Sequence, residues 1–201
     1  MNPRKPMAAR FVIALLLGSV VPARAMAHTT GSHAAGLLSG LEHPVSGLDH
    51  ILAMIAVGLW GAQLGAPAVW LLPVTFPMVM ACGGMLGLMG LDLPGVEVGI
   101  ALSALALGVM VAWEARPPLW VAALLVGFFA IFHGHAHGKE LPAGADALLY
   151  SIGFVVATGS LHAAGIGMGL VHRWPVGRVA LRLAGVVVAL AGVAFVWQTA
   201  A

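Results

Sequence analysis

The chain has 201 residues, of which 61% are hydrophobic and only 8% are charged. Its mean hydropathy of +1.01 lies far above that of a soluble globular domain, so the composition indicates an integral membrane protein. The net charge of +2 is small and the basic residues are scattered among short loops, which argues against a nucleic-acid partner. The single cysteine, Cys82, excludes an intrachain disulfide framework and a paired-cysteine metal or redox site.

The N-terminus has the three parts of a secretory signal peptide. Its basic residues are Arg4, Lys5 and Arg10. Residues 11–21 are apolar, and the small residues that follow fit cleavage after Ala25 or Ala27. We therefore predict a signal peptide over residues 1–27; the alternative is an uncleaved signal anchor, for which the apolar stretch is short. Both interpretations place residue 28 outside the cytoplasm.

Residues 28–201 are predicted to form a single transmembrane helical domain in which apolar segments alternate with short polar or proline-containing breaks. Each segment has about the length that a helix needs to cross a bilayer. The predicted spans are residues 46–65, 68–91, 95–114, 117–136, 146–171 and 176–198. Connections this short make successive helices antiparallel neighbours. The predicted fold is therefore an all-α membrane protein, a compact bundle of about six transmembrane helices after a cleavable signal peptide, and glycines such as Gly165 and Gly169 are spaced for close helix contact.

The distribution of charge predicts the orientation of the bundle. With residue 28 outside, the cytoplasmic side carries four arginines, at positions 116, 173, 178 and 182, whereas Lys139 lies on the external side. This asymmetry follows the positive-inside rule. The external helix ends then contain nearly all the acidic residues and most of the histidines of the mature chain.

The first of two clusters of metal-ligand residues stands at the start of the first predicted span. It contains His43, Asp49 and His50, with Met54 one turn further along. If the helix begins immediately after His43, this residue, Gly47, His50 and Met54 share one stripe. Asp49 then either binds the metal directly or holds a histidine in one tautomer. Ionisable groups are costly in hydrocarbon, so the combination favours a metal site over a helix cap in which histidine and aspartate satisfy each other.

The second cluster ends the fourth predicted span and contains His133, His135, His137 and Glu140. If this segment is helical, His133, His137 and Glu140 share a face; if it is extended, the three histidines alternate onto one side. Imidazole and carboxylate together suit Ni(II), Co(II), Zn(II) or Cu(II) without choosing among them. The alternative is a solvated histidine-rich loop.

Three further residues are weaker metal candidates. Glu97 adds a carboxylate near the external start of the third span, or lies among lipid headgroups. His162 lies inside the fifth span, where it is either an inner step of an ion path or a structural hydrogen-bonding group. His28 follows the cleavage site: cleavage after Ala25 leaves it third in the mature chain, where amine, backbone amides and imidazole can bind Ni(II) or Cu(II). A disordered tail is the alternative for His28.

Together these motifs resemble the HupE/UreJ family of bacterial nickel/cobalt permeases. The resemblance rests on His43-Pro44-x-x-Gly47-x-Asp49-His50-x-x-x-Met54, on His133-Gly134-His135-Ala136-His137-Gly138-x-Glu140 and on His162-x-x-Gly165. It covers essentially the whole mature chain and implies multi-pass insertion in the bacterial inner membrane with a periplasmic N-terminus. It also implies uptake of Ni(II), or Co(II) in some members, to supply maturation of hydrogenase or urease. The metal is then the transported substrate with no permanently bound cofactor, and the lipid bilayer and cytoplasmic nickel chaperones are the expected partners.

Two classes of function are compatible with these residues. A permease needs ligands that bind the ion well enough to dehydrate it and weakly enough to release it. A membrane-embedded metalloenzyme with a periplasm-facing His/Asp site is the alternative, but the chain lacks an H-E-x-x-H motif and an obvious general base beside the metal ligands. We therefore predict a permease rather than an enzyme. The absence of a nucleotide-binding loop argues against transport driven by the chain's own ATP hydrolysis, and the coupling ion and oligomeric state stay open.

Overall fold

The computed structural model describes residues 32–141 and 145–200, and these residues form helices and no strands. The helices are α1 (Ser32–Glu42), α2 (Leu48–Leu64), α3 (Ala68–Leu88), α4 (Val96–Trp113), α5 (Leu119–Lys139), α6 (Ala147–Gly169) and α7 (Pro175–Ala200), with short 3-10 turns at His43–Val45 and Leu170–Arg173. The all-α prediction is confirmed, and α2 to α7 overlap the six predicted spans. The predicted signal peptide, residues 1–27, and His28 lie outside the described residues.

Five helices, α3 to α7, are long and apolar enough to cross a membrane individually. Helix α2 has 17 residues, and it makes a sixth span only together with the segment Gly36–Val45, which meets it at a bend of 78°. The prediction of about six transmembrane helices is therefore confirmed. The first predicted span differs in one respect: Gly47 is extended, with φ −103° and ψ 123°, and α2 begins at Leu48.

Helix α2 occupies the centre of the bundle. Every residue from Ala56 to Gln63 is buried, because α3, α4, α6 and α7 all pack against this helix. The outer helices instead expose large apolar side chains, Leu190 and Trp197 among them, as contact with lipid requires. A polar group carried by α2 or turned toward it is therefore withdrawn from lipid.

Glycines allow the helices that carry histidines to pack in close backbone contact with their neighbours. A Cβ on Gly58 of α2 would collide with the carbonyl oxygen of His162 on α6, and Cβ atoms on Gly165 and Gly169 would collide with α2. The predicted close contacts at these two glycines are confirmed. Gly134 of α5 approaches the backbone of α3 in the same way, so both histidine-bearing helices are held by backbone contact.

Helices α2 to α7 run alternately up and down, which separates two ends of the bundle. One end holds the starts of α2, α4 and α6 and the ends of α3, α5 and α7, and it contains both histidine motifs. We call it the histidine end. The opposite end holds Arg116, Arg173 and Arg178, and we call it the arginine end.

Candidate metal site

The two histidine motifs meet at the histidine end of the bundle. The 3-10 turn before α2 carries His43 to the end of α5, where its Nε2 donates to Oε2 of Glu140 at 2.8 Å. His137 stands one turn before Glu140, and its Nδ1 lies 3.7 Å from the same carboxylate oxygen. The ligand atoms of these three residues all lie within 4.8 Å of one another. Two ligands at about 2.0–2.2 Å from a single ion stand up to about 4.4 Å apart, so a small movement lets one ion bind all three.

Glu140 supplies a permanent negative charge to this triad. The adjoining imidazole of His137, and then that of His43, lower the pKa of the Glu140 carboxyl to about 2. The carboxylate is therefore ionised at any physiological pH. Because an ionised carboxylate only accepts hydrogen bonds, the proton between it and His43 belongs to the imidazole. For His43 Nε2 to bind a cation, this proton would have to move to Nδ1 of the same imidazole, which a neutral ring allows.

Asp49 orients the imidazole of His50. Its Oδ1 accepts from the backbone N–H of His50 at 2.8 Å and from Nδ1 at 3.0 Å. The imidazole proton is therefore on Nδ1, which leaves the lone pair of Nε2 free to bind a metal. Within the described part of the chain, this buried Nε2 has no hydrogen-bond partner. Of the two roles predicted for Asp49, the geometry favours holding the histidine in one tautomer.

Ser103 of α4 fixes the tautomer of His133 in a similar way. Its hydroxyl donates its one proton to the carbonyl oxygen of Ile100 at 2.6 Å. The 2.9 Å contact between Ser103 Oγ and His133 Nε2 must then be donated by the imidazole. The lone pair of His133 consequently lies on Nδ1, which is buried and lacks a partner among the described residues.

Four imidazoles form one connected cluster, which we call the histidine cluster: His43, His50, His133 and His137. The ring centroid of His137 lies 4.7 Å from that of His43 and 4.5 Å from that of His50. The ring of His50 lies 4.6 Å from that of His133. An adjoining cavity of about 210 Å³ is lined by both motifs and by Glu97. Side chains separated by more than eighty residues in sequence thus surround one space.

A fifth imidazole lies deeper, behind an aromatic ring. Phe76 of α3 is fully buried, and its ring centroid stands 5.3 Å from His133 and 5.5 Å from His162. The His162 imidazole interacts with the backbone carbonyl of Pro73 on α3, and the hydroxyl of Thr158, one turn away, is buried without a hydrogen-bond partner in residues 32–141 and 145–200. Phe76 therefore separates the histidine cluster from a second set of buried polar side chains.

One detail of the predicted first motif is wrong. His43 does not share a helical stripe with His50 and Met54, because the helix starts after an extended Gly47. The second motif is helical, which confirms the shared face of His133, His137 and Glu140. The extended alternative is therefore excluded for this segment. His135 lies two positions from both His133 and His137, so on a helix it points away from them, and its Nε2 donates to the carbonyl oxygen of Leu91 at 2.6 Å.

The remaining predicted residues occupy different settings. Met54 is buried in the apolar core, one turn along α2 from His50. Glu97 is exposed at the start of α4 and lines the cavity beside the histidine cluster. Sequence reasoning missed Ser103 and Phe76. A hydroxyl inside the apolar run of α4 was a detectable signal for Ser103, whereas nothing distinguishes Phe76 from an ordinary core residue.

Fold and site together define a multi-pass membrane protein with a candidate metal site formed by histidines and carboxylates within a helical bundle. A family model described as HupE / UreJ protein matches residues 12–195, and the chain belongs to this family, as its motifs predicted. It is 51% identical to Protein HupE of Rhizobium leguminosarum bv. viciae over 179 residues, which cover 89% of this chain and 93% of that protein. No solved structure matches the chain. Family membership supports a function associated with nickel/cobalt transport.

Proposed function

We propose that the chain is an inner-membrane permease that takes up Ni(II), with Co(II) as the alternative cargo, from the periplasm into the cytoplasm. Family membership supports transport. The chief structural support is the series of imidazoles that leads from partly exposed His43 to fully buried His162. The metal is a substrate rather than a resident cofactor, and the chain is not an enzyme. Its downstream role is the supply of metalloenzyme maturation, such as that of hydrogenase or urease.

Capture takes place at His43, His137 and Glu140. The Glu140 carboxylate is 54% exposed, so it reaches a hydrated ion before the buried ligands do. One anionic oxygen and two imidazoles suit a borderline divalent ion such as Ni(II) better than Mg(II) or Ca(II), which prefer oxygen alone. The triad therefore discriminates by ligand type at the point where the ion first loses water.

Transfer inward proceeds by exchange of ligands. His137 adjoins both His43 and His50, and His50 adjoins His133, so the ion gains a new imidazole before it leaves the previous one. The lone pairs on His50 Nε2 and His133 Nδ1 are already directed by their hydrogen bonds to Asp49 and Ser103. Several sites of moderate affinity allow conduction, whereas one tight site would retain the ion.

Phe76 forms an apolar step of this path, between His133 and His162. The ion passes from His133 to His162 beside a ring that offers no lone pair, although an aromatic face attracts a cation. Beyond it, the arginine end presents cationic side chains that disfavour rebinding of a released ion. With the arginine end cytoplasmic, as the positive-inside rule favours, the path leads from the periplasm to the cytoplasm.

Uptake by sealed vesicles containing the purified chain tests the proposal. Accumulation of Ni(II), Co(II), Zn(II) and Cu(II) is measured with and without an imposed proton gradient. We expect uptake of Ni(II) or Co(II) above that of protein-free vesicles, and an increase in KM of at least about tenfold for Glu140→Gln. Glu42→Gln is the matched control, because Glu42 is an exposed carboxylate beside His43 that does not line the cavity. Metal binding without any uptake would contradict a permease and favour the metalloenzyme.

A further inference from the structure

A second cavity, of about 250 Å³, lies at the arginine end of the bundle. It is lined by Gln63, Glu114, Arg116, His172, Arg173 and Arg178. These residues come from the end of α2, the connection after α4, the turn after α6 and the start of α7. The cavity shares no residue with the metal site, and its three arginines are those that define the arginine end.

Tryptophans indicate the depth of this cavity in the membrane. Four exposed indoles lie at the same end, Trp70, Trp113, Trp120 and Trp174, with 68%, 75%, 66% and 54% of their surface accessible. Exposed tryptophans of membrane proteins gather at the level of the lipid headgroups. Trp113 directly precedes Glu114, and the guanidinium of Arg173 lies 4.9 Å from the ring centroid of Trp174. The cavity therefore opens where phosphate groups of the bilayer are found.

The residues that line this cavity favour an occupant that both accepts and donates hydrogen bonds. Three arginines outnumber one glutamate, so the lining attracts an anion, and guanidinium groups pair well with phosphate oxygens. Gln63 adds an acceptor: its Nε2 donates to the carbonyl oxygen of Val111 at 3.1 Å, while its Oε1 is buried and unpartnered within the described residues. The side chain is only 4% exposed and belongs to the cavity lining, so a shift of its amide group would bring Oε1 to a donor held in the cavity.

We propose that this cavity binds the headgroup of an anionic phospholipid whose phosphodiester is accompanied by hydroxyl donors, as in phosphatidylglycerol. The arginines pair with the phosphodiester, and a headgroup hydroxyl donates to Gln63 Oε1 or to Glu114. Phosphatidylethanolamine meets this requirement less well because it has no net charge, and phosphatidylcholine lacks the donors altogether. A lipid held here connects the ends of α2, α4, α6 and α7, which stabilises the bundle.

Lipid retention by the purified full-length chain tests the proposal. The protein is exchanged into vesicles containing equal amounts of phosphatidylglycerol and phosphatidylcholine, re-extracted in mild detergent, and weighed with its bound lipids by native mass spectrometry. We expect phosphatidylglycerol to be retained in preference to phosphatidylcholine, and the double variant Arg116→Gln/Arg178→Gln to lose about 30-fold in affinity. Arg182→Gln is the matched control, since Arg182 donates to the carbonyl oxygen of Ala112 and does not line the cavity.

Three results would overturn the proposal. The first is equal retention of the two lipids by the unmodified chain, a comparison that does not depend on the folding of any variant. The second is unchanged retention of phosphatidylglycerol by a double variant that remains monodisperse. The third is displacement of the lipid by inorganic phosphate at millimolar concentration, which would identify a site for the free anion. None of these results depends on whether the chain transports metal.

Discussion

Replacement of Asp49 is expected to weaken metal binding through His50 rather than through loss of a metal ligand. One carboxylate oxygen accepts from both the backbone N–H and Nδ1 of His50, at 2.8 and 3.0 Å. Loss of such a supporting group costs about 10–100-fold in metal affinity, or about 1.4–2.7 kcal/mol. We expect Asp49→Ala to lower the affinity for Ni(II) by this factor. Asp49→Asn keeps an acceptor without the charge, and because charge-assisted bonds are roughly twice as strong as neutral ones, it should lose only about 3–10-fold.

Isothermal titration of the purified variants with Ni(II) measures these differences. His50→Ala, which removes the imidazole itself, sets the scale for loss of a ligand, and thermal unfolding followed by circular dichroism identifies variants that no longer fold. The expected order of affinity is the unmodified chain, then Asp49→Asn, then Asp49→Ala, then His50→Ala. An Asp49→Asn protein that is folded but binds as weakly as His50→Ala would refute the orienting role and make Asp49 a direct ligand.

Four further substitutions test other parts of the structure. Phe76→Leu should slow Ni(II) uptake by reconstituted vesicles without changing Ni(II) affinity in titrations, because the ring stands beyond the histidine cluster; an equal loss of affinity would contradict this. Glu140→Gln should weaken Ni(II) binding by a similar factor at every pH from about 5 to 8, since a carboxyl with a pKa of about 2 loses its charge only at far lower pH. Equal Ni(II) affinity of the variant and the unmodified chain at pH 5 would contradict an ionised Glu140. His135→Gln should lower the melting temperature, through loss of a hydrogen bond worth about 0.5–1.5 kcal/mol, and leave the KM for Ni(II) unchanged; a raised KM would restore His135 as a ligand. Gly58→Leu should destabilise the protein by about 1–3 kcal/mol in denaturant titrations, because its Cβ meets the backbone of α6; wild-type stability would show that the two helices separate readily.

Local sequence features predicted the helices well because each apolar segment ends at proline, glycine or charge. The break before α2 was harder to predict from the sequence. Its geometry depends on α1 packing across α6, where a Cβ on Gly40 would collide with the carbonyl oxygen of Tyr150. Such a contact between residues over one hundred positions apart has no local signal, so a continuous helix from residue 46 was the natural expectation.

The candidate site, too, could be predicted only in part from the sequence. Helical spacing alone placed His137 one turn before Glu140 and turned both toward one face. It did not reveal that His43 reaches Glu140 from a separate turn, because that contact depends on how α5 packs against α3 and α4, the helices that in turn contact α2. The tautomer of His133 depends on Ser103 of a third helix, and the separation of His162 from the cluster depends on Phe76 of a fourth. Residue types identified the candidate ligands, whereas their arrangement in space required the tertiary structure.

X-ray absorption at the nickel K-edge of the purified, Ni(II)-loaded chain tests most directly whether both histidine motifs bind one metal ion. We expect nitrogen and oxygen ligands with clear imidazole scattering, because the triad offers two histidines and one carboxylate within 4.8 Å. Since His137 adjoins both His43 and His50, His137→Ala should reduce the imidazole contribution and the amount of bound nickel together. A spectrum without imidazole scattering, or one that His137→Ala leaves unchanged at full nickel occupancy, would contradict a shared site.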